Sequence, residues 1–75
     1  MERVKIDENS NSVVLTFNGN FYPKELIEQA VSDFHEVCDS RFEGENLVLK
    51  PKNNEVDITN LGYEFYNYVL GLIKS

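Results

Sequence analysis

Seventy-five residues is about half the usual domain length, so one core is all this chain can build, and a single domain over 1–75 is expected. An apolar fraction of 41%, with five Phe and four Tyr, is too high for a chain that stays disordered. Thirteen acidic groups against seven basic ones give a formal charge of −6, which repels a phosphate backbone and argues against a nucleic-acid partner.

From Arg3 to Phe17 the apolar pattern has period two. Val4 and Ile6 alternate with Arg3, Lys5 and Asp7; Val13, Leu15 and Phe17 alternate with Val14 and Thr16. Two strands are predicted, joined as an antiparallel hairpin through the polar run 7–12. Asn18-Gly19-Asn20 breaks the second strand.

Pro23 suits a first helical position, where its fixed φ fits and its missing N–H is not needed. Leu26, Ile27, Ala30, Val31, Phe34, Val37 and Cys38 then recur at helical spacing, which predicts a helix from near Tyr22 to near Arg41 and Phe42. Glu43-Gly44-Glu45-Asn46 reads as the turn that releases it, and Leu47 to Lys50 as a third strand closed by Pro51. Asp57 is positioned to cap a second helix carrying Ile58, Leu61, Phe65, Tyr68 or Val69, and Leu72 with Ile73 on one stripe. The expected fold is therefore α+β in the order β-β-α-β-α, with two amphipathic helices packed on one face of a three-stranded sheet.

Cys38 is the only cysteine, so no intramolecular disulfide can form, and a reducing cytoplasm is the expected location. The charged start MERVKIDENS and the lack of a long apolar run argue against a signal peptide or a membrane partner. His35 and Cys38, three residues apart, are too few for a closed metal site, and neither a metal nor a cofactor is expected. A thiol in mid-helix on an apolar face is inert rather than activated, so Cys38 reads as buried and His35 as solvated. The acidic residues Glu25, Glu28, Asp33, Glu36 and Asp39 read as a solvated helix face, and no phosphate loop or nucleophile motif is present. A chain without catalytic residues, not an enzyme, is the expectation. Lys50 and Lys52 form the only tight basic pair and read as a solvated strand end.

Two surfaces remain for a partner. The uncovered sheet face is expected to carry Arg3, Lys5, Val14, Thr16, Val48 and Lys50, and a three-stranded sheet leaves open edges where a peptide can add by backbone hydrogen bonds. Along the last helix, Tyr63, Tyr66, Asn67 and Leu70 form a second stripe beside the buried one. That stripe reads either as a protein or peptide interface, since Tyr is enriched in hot spots, or as the wet rim of a small core. A homodimer through the same stripe is the alternative use.

Phe21-Tyr22-Pro23 with Leu26 and Ala30, then Phe34, Cys38 and Phe42, the run Val48-Leu49-Lys50-Pro51-Lys52, and Glu64-Phe65-Tyr66-Asn67-Tyr68 together resemble the HxsD family of the His-Xaa-Ser systems. The resemblance spans roughly Val13 to the C-terminus and is that of a divergent relative, because apolar Leu72 and Ile73 stand where the family carries an Arg-Glu pair. It implies a small accessory protein of radical-SAM peptide-maturation systems, contacting a peptide precursor or the maturation enzyme, with no catalytic residue of its own.

Overall fold

The computed structural model describes residues 3–74; Met1, Glu2 and Ser75 of the domain expected over 1–75 lie outside them. The described residues form β1 (Val4–Asp7), β2 (Ser12–Thr16), α1 (Lys24–Asp33), β3 (Cys38–Glu43), β4 (Asn46–Pro51) and α2 (Ile58–Lys74). The order is β-β-α-β-β-α, and the sheet is four-stranded and antiparallel in the order β1-β2-β4-β3. The expectation of three strands is corrected by β3, which occupies residues assigned above to the end of the first helix.

Helix α1 stops at Asp33 rather than near Arg41 and Phe42. Phe34 N–H still bonds Ala30 C=O at 2.9 Å, but Val37 and Cys38 N–H both fold back onto Phe34 C=O, at 3.0 and 3.1 Å. From Cys38 onward the residues also fit period two: Cys38, Ser40 and Phe42 face one way, Asp39, Arg41 and Glu43 the other. The same segment satisfies both periods. The strand wins because the far edge of β4 gains a partner from Cys38–Pro51 to Glu43–Asn46, and because Asp39 and Ser40 are poor helix formers. The expected turn is present but joins two strands. Gly44 takes a φ of 64° at the first central position and Glu45 does not follow it, the pattern of a type II′ hairpin.

The first hairpin is as expected, with Asp7 opposite Ser12 and Val4 opposite Leu15. Asp7 Oδ1 accepts the N–H groups of Asn9 (3.1 Å) and Ser10 (3.4 Å), and Asn11 closes the loop at a φ of 50°, which Asn tolerates. Hydrogen bonds from Ser10, through its side chain and then its backbone, hold the Asp7 carboxyl below its ordinary range. The folded state therefore binds this proton less tightly than the unfolded state. Its contribution is present above the ordinary carboxylate pKa and is lost as pH falls through the lowered folded value. Urea titrations across the acid range should show Asp7→Asn with a shallower decline in stability than the wild type; equal slopes would assign the acid limb to other carboxylates.

Helix α2 begins as expected, with Asp57 Oδ1 accepting Thr59 N–H at 2.9 Å. Helix α1 has Pro23 at its N-cap, one residue before the first helical position expected for it. Both helices join one hydrophobic cluster on a single face of the sheet. Val13, Leu15, Leu47 and Leu49 form the floor, covered by Leu61, Phe65 and Val69 from α2 and by Ile27 and Ala30 from α1. Val69, not Tyr68, takes the shared position on the buried stripe. At Gly62 the helix lies directly on the sheet: a Cβ there would meet Val13 Cγ2 at 2.8 Å and Val4 Cγ1 at 3.0 Å. Tyr68 instead donates its hydroxyl to the Asp33 carboxylate and sets its ring edge-on to Phe34 at 5.3 Å, tying α2 to the end of α1.

Candidate functional site

After β2 the chain turns through Asn18, whose carbonyl accepts the N–H groups of both Phe21 and Tyr22 at 2.9 Å. Its side-chain Oδ1 accepts Asn20 N–H at the same distance. Adjacent residues in such a turn cannot both face the core. Tyr22 goes in, with its ring set edge-on to Phe17 at 5.2 Å, and Phe21 goes out, 71% exposed. From α2, Tyr66 stacks on Phe17, with ring centroids 5.3 Å apart and planes 12° apart, and meets the Tyr22 ring edge-on at 5.7 Å.

This triangle of rings brings two phenol groups together at the rim. The Tyr22 and Tyr66 hydroxyls lie 2.5 Å apart, and Arg3 Nη1 donates to Tyr66 at 3.1 Å and to Tyr22 at 3.4 Å. Alternation along β1 would have put Arg3 on the uncovered sheet face; the two hydroxyls draw it to the helix side instead. The hydrogen bond that Tyr22 makes to Tyr66, with burial, raises the Tyr22 pKa, and the bond to Tyr66 raises that of Arg3.

Beside these three side chains opens a recess of about 510 Å³. Arg3 and Glu45 stand on its rim, while Phe21, Leu70 and Ile73 supply its apolar wall. The stripe expected to bind, Tyr63, Tyr66, Asn67 and Leu70, is divided by this geometry. Leu70 is half-buried and lines the recess and Tyr66 is half-buried against Phe17 and Tyr22, whereas Tyr63, 56% exposed, and Asn67 face solvent. Sequence reasoning missed Arg3, Phe21, Glu45 and Ile73 as members of a site. The one available signal was the Phe21-Tyr22 pair, two large aromatics in a turn of which only one could be buried.

Cys38 is buried as expected, though it opens β3 rather than riding a helix. Its thiol points to Phe34 C=O at 3.6 Å, and burial pushes its pKa up while the Ser40 hydroxyl opposes the shift. His35 is exposed, with Nδ1 2.7 Å from Ser32 C=O. The two side chains thus engage different backbone carbonyls. Lys52, at the end of the basic pair, reaches Asp39 at 3.8 Å across β3 and β4. Among the described residues no group of three or more His, Cys, Asp or Glu is placed to hold a metal ion, and no helix is long and apolar enough to cross a membrane.

No family model, curated protein or solved structure matches this chain.

Proposed function

We propose that this chain is a non-catalytic accessory module that holds a peptide segment in the Arg3–Tyr22–Tyr66 recess, in the service of the radical-SAM peptide maturation that its resemblance to the HxsD family implies. The observation that carries the reading is the anchored guanidinium at the mouth of an apolar recess. One nitrogen, Nη1, is committed to the two tyrosine hydroxyls, and the exposed guanidinium has further donors to offer a ligand. A carboxylate is the natural acceptor for such a fork. Phe21, Leu70 and Ile73 supply an apolar seat beside it, and Glu45, which also lines the recess, suits an N–H or a cation. The preferred ligand is a segment pairing a carboxylate with a bulky apolar side chain. The buried, proton-retaining Cys38 thiol supports the non-catalytic part of the reading, and its solitary presence supports a cytoplasmic location.

A homodimer through the α2 stripe is the weaker use of that surface, because Tyr66 is committed to Phe17, Tyr22 and Arg3. For the same reason Tyr66→Ser would damage the core and makes a poor surface probe. Arg3→Gln and Phe21→Ser change exposed side chains and should leave the fold intact. Random peptides displayed on phage and selected against the immobilised full chain should enrich a carboxylate beside a large apolar residue. Binding of the enriched peptides should fall about tenfold or more with either variant, the scale of one lost anchor. Peptides that bind Arg3→Gln and Phe21→Ser as tightly as the wild type, or a selection without enrichment, would overturn the assignment.

A further inference from the structure

Strand β3 ends the sheet, and no other strand among the described residues pairs with its outer edge. Lys52 N–H reaches Val37 C=O at 3.1 Å, so alternation along the antiparallel ladder makes the pairs 39/50, 41/48 and 43/46 the hydrogen-bonded ones. The backbone groups of Ser40 and Phe42 consequently point away from β4, as does the carbonyl of Cys38; the Cys38 N–H is already taken by Phe34 C=O. An edge of this kind is a template for another strand.

We infer that the occupant of this edge is the β3 strand of a second copy, paired antiparallel about a twofold axis at Ser40. Charge selects both the partner and the register. On the uncovered face β3 presents Asp39, Arg41 and Glu43, alternating in sign. Directly opposed residues in an antiparallel pair share a face, so only registers that keep Asp39, Arg41 and Glu43 on the same side as their counterparts are open. Centring on Ser40 sets Asp39 against the partner's Arg41 and Arg41 against the partner's Asp39. Both are non-hydrogen-bonded positions, where side chains approach most closely.

The neighbouring registers fail. Centring on Asp39 or on Arg41 puts that residue against its own copy, like charge on like. Centring on Phe42 runs Asp39 and Ser40 past the partner's turn, where Gly44 at a φ of 64° bends the chain out of the strand. Charges at a sheet edge ordinarily block pairing. Here like charges exclude the Asp39 and Arg41 centres and the turn excludes the Phe42 centre, which leaves Ser40.

The favoured register also satisfies what the isolated edge leaves open. Ser40 N–H meets the partner's Ser40 C=O, and Phe42 N–H meets the partner's Cys38 C=O, each reciprocally. On the helix side, Phe42, 39% exposed in the single chain with Lys24 Nζ 5.4 Å from its ring centroid, comes to lie opposite position 38 of the second copy. Arg41 already reaches Glu43 at 2.5 Å within its own strand, so the cross-strand ion pairs extend an alternating network. The result is one continuous sheet through two copies, with both recesses left free.

Sedimentation equilibrium on the full chain tests this. The wild type should show a reversible dimer, and Arg41→Glu should weaken it about tenfold or more by turning two symmetric attractions into repulsions. The double swap D39R/R41E restores opposite charges across the axis and should recover most of the loss. Ser40→Pro removes an N–H that serves no bond to β4 and should weaken the dimer while circular dichroism and urea midpoint stay near wild type. If Ser40→Pro does not fold, the charge swap carries the test alone. A wild type that stays monomeric at about 1 mM, or a dimer indifferent to Arg41→Glu and not rescued by the double swap, would overturn the inference.

Discussion

Phe65→Ala is expected to leave much of the chain unfolded in water at room temperature. Phe65 has no exposed surface and sits where the layers meet, with Phe34 of the α1 end edge-on at 5.0 Å and Phe17 of the β2 end at 6.4 Å. Truncating a buried Phe to Ala costs about 3–5 kcal/mol, through lost transfer energy and the cavity left behind. Small domains sit near the low end of the ~5–15 kcal/mol range of native stabilities, so the loss takes most of what is there. Urea unfolding followed by circular dichroism should show an early or absent transition. Phe65→Leu, which keeps most of the volume, should lose roughly 1–2 kcal/mol and remain cooperative. An alanine variant with a nearly unchanged midpoint would mean that α2 does not seat as described.

Gly62→Ala should destabilise although alanine is the better helix former. In an exposed helix interior the exchange gains about 1 kcal/mol. At Gly62 the new methyl would fall 2.8 Å from Val13 Cγ2 and 3.0 Å from Val4 Cγ1. Both neighbours are β-branched, with little rotamer freedom, and Val13 is wholly buried between strand partners. Helix α2 must lift or β1 must shift, an overpacking cost of about 1–3 kcal/mol that outweighs the propensity gain. Gly71 is the internal control. Nothing lies within 4 Å of a Cβ added there, so Gly71→Ala should stabilise by up to about 1 kcal/mol. Opposite shifts in thermal midpoint for the two glycines of one helix would establish the close approach; parallel shifts would refute it.

The strands β1, β2 and β4 and both helix starts could be read from the sequence because each carried one period and a local signal that agreed with it. Asp57 at the head of α2 and the Asp7–Ser12 loop are of that kind. The segment 34–43 carried two periods at once. Phe34, Val37 and Cys38 continue a helical stripe, while Cys38, Ser40 and Phe42 make an equally good strand face. What decides between them is whether β4 needs a second neighbour, a fact of the sheet and not of the segment. The recess was hidden for a related reason. Arg3 and Tyr66 are 63 residues apart, and only the placing of α2 across β1 and β2 brings the guanidinium to the phenols. The Tyr63, Tyr66, Asn67 and Leu70 stripe marked the right helix flank without revealing that Tyr66 is spent inside the protein.

The strand order has a consequence for how the chain comes to fold. Strands β2 and β3 are both antiparallel to β4, hence parallel to each other with β4 between them, and Val13, paired with Ile6 on one side, finds its second partner only at Leu49. The last strand to be synthesised is therefore an interior one. On a ribosome, the β1–β2 hairpin must wait with its inner edge unpaired, and β3 has no neighbour at all until residues 46–51 emerge to fill the gap. Such long-range closure slows folding and leaves sticky edges open while it waits. The sheet is completed in one late step, so newly made chains depend on finishing quickly.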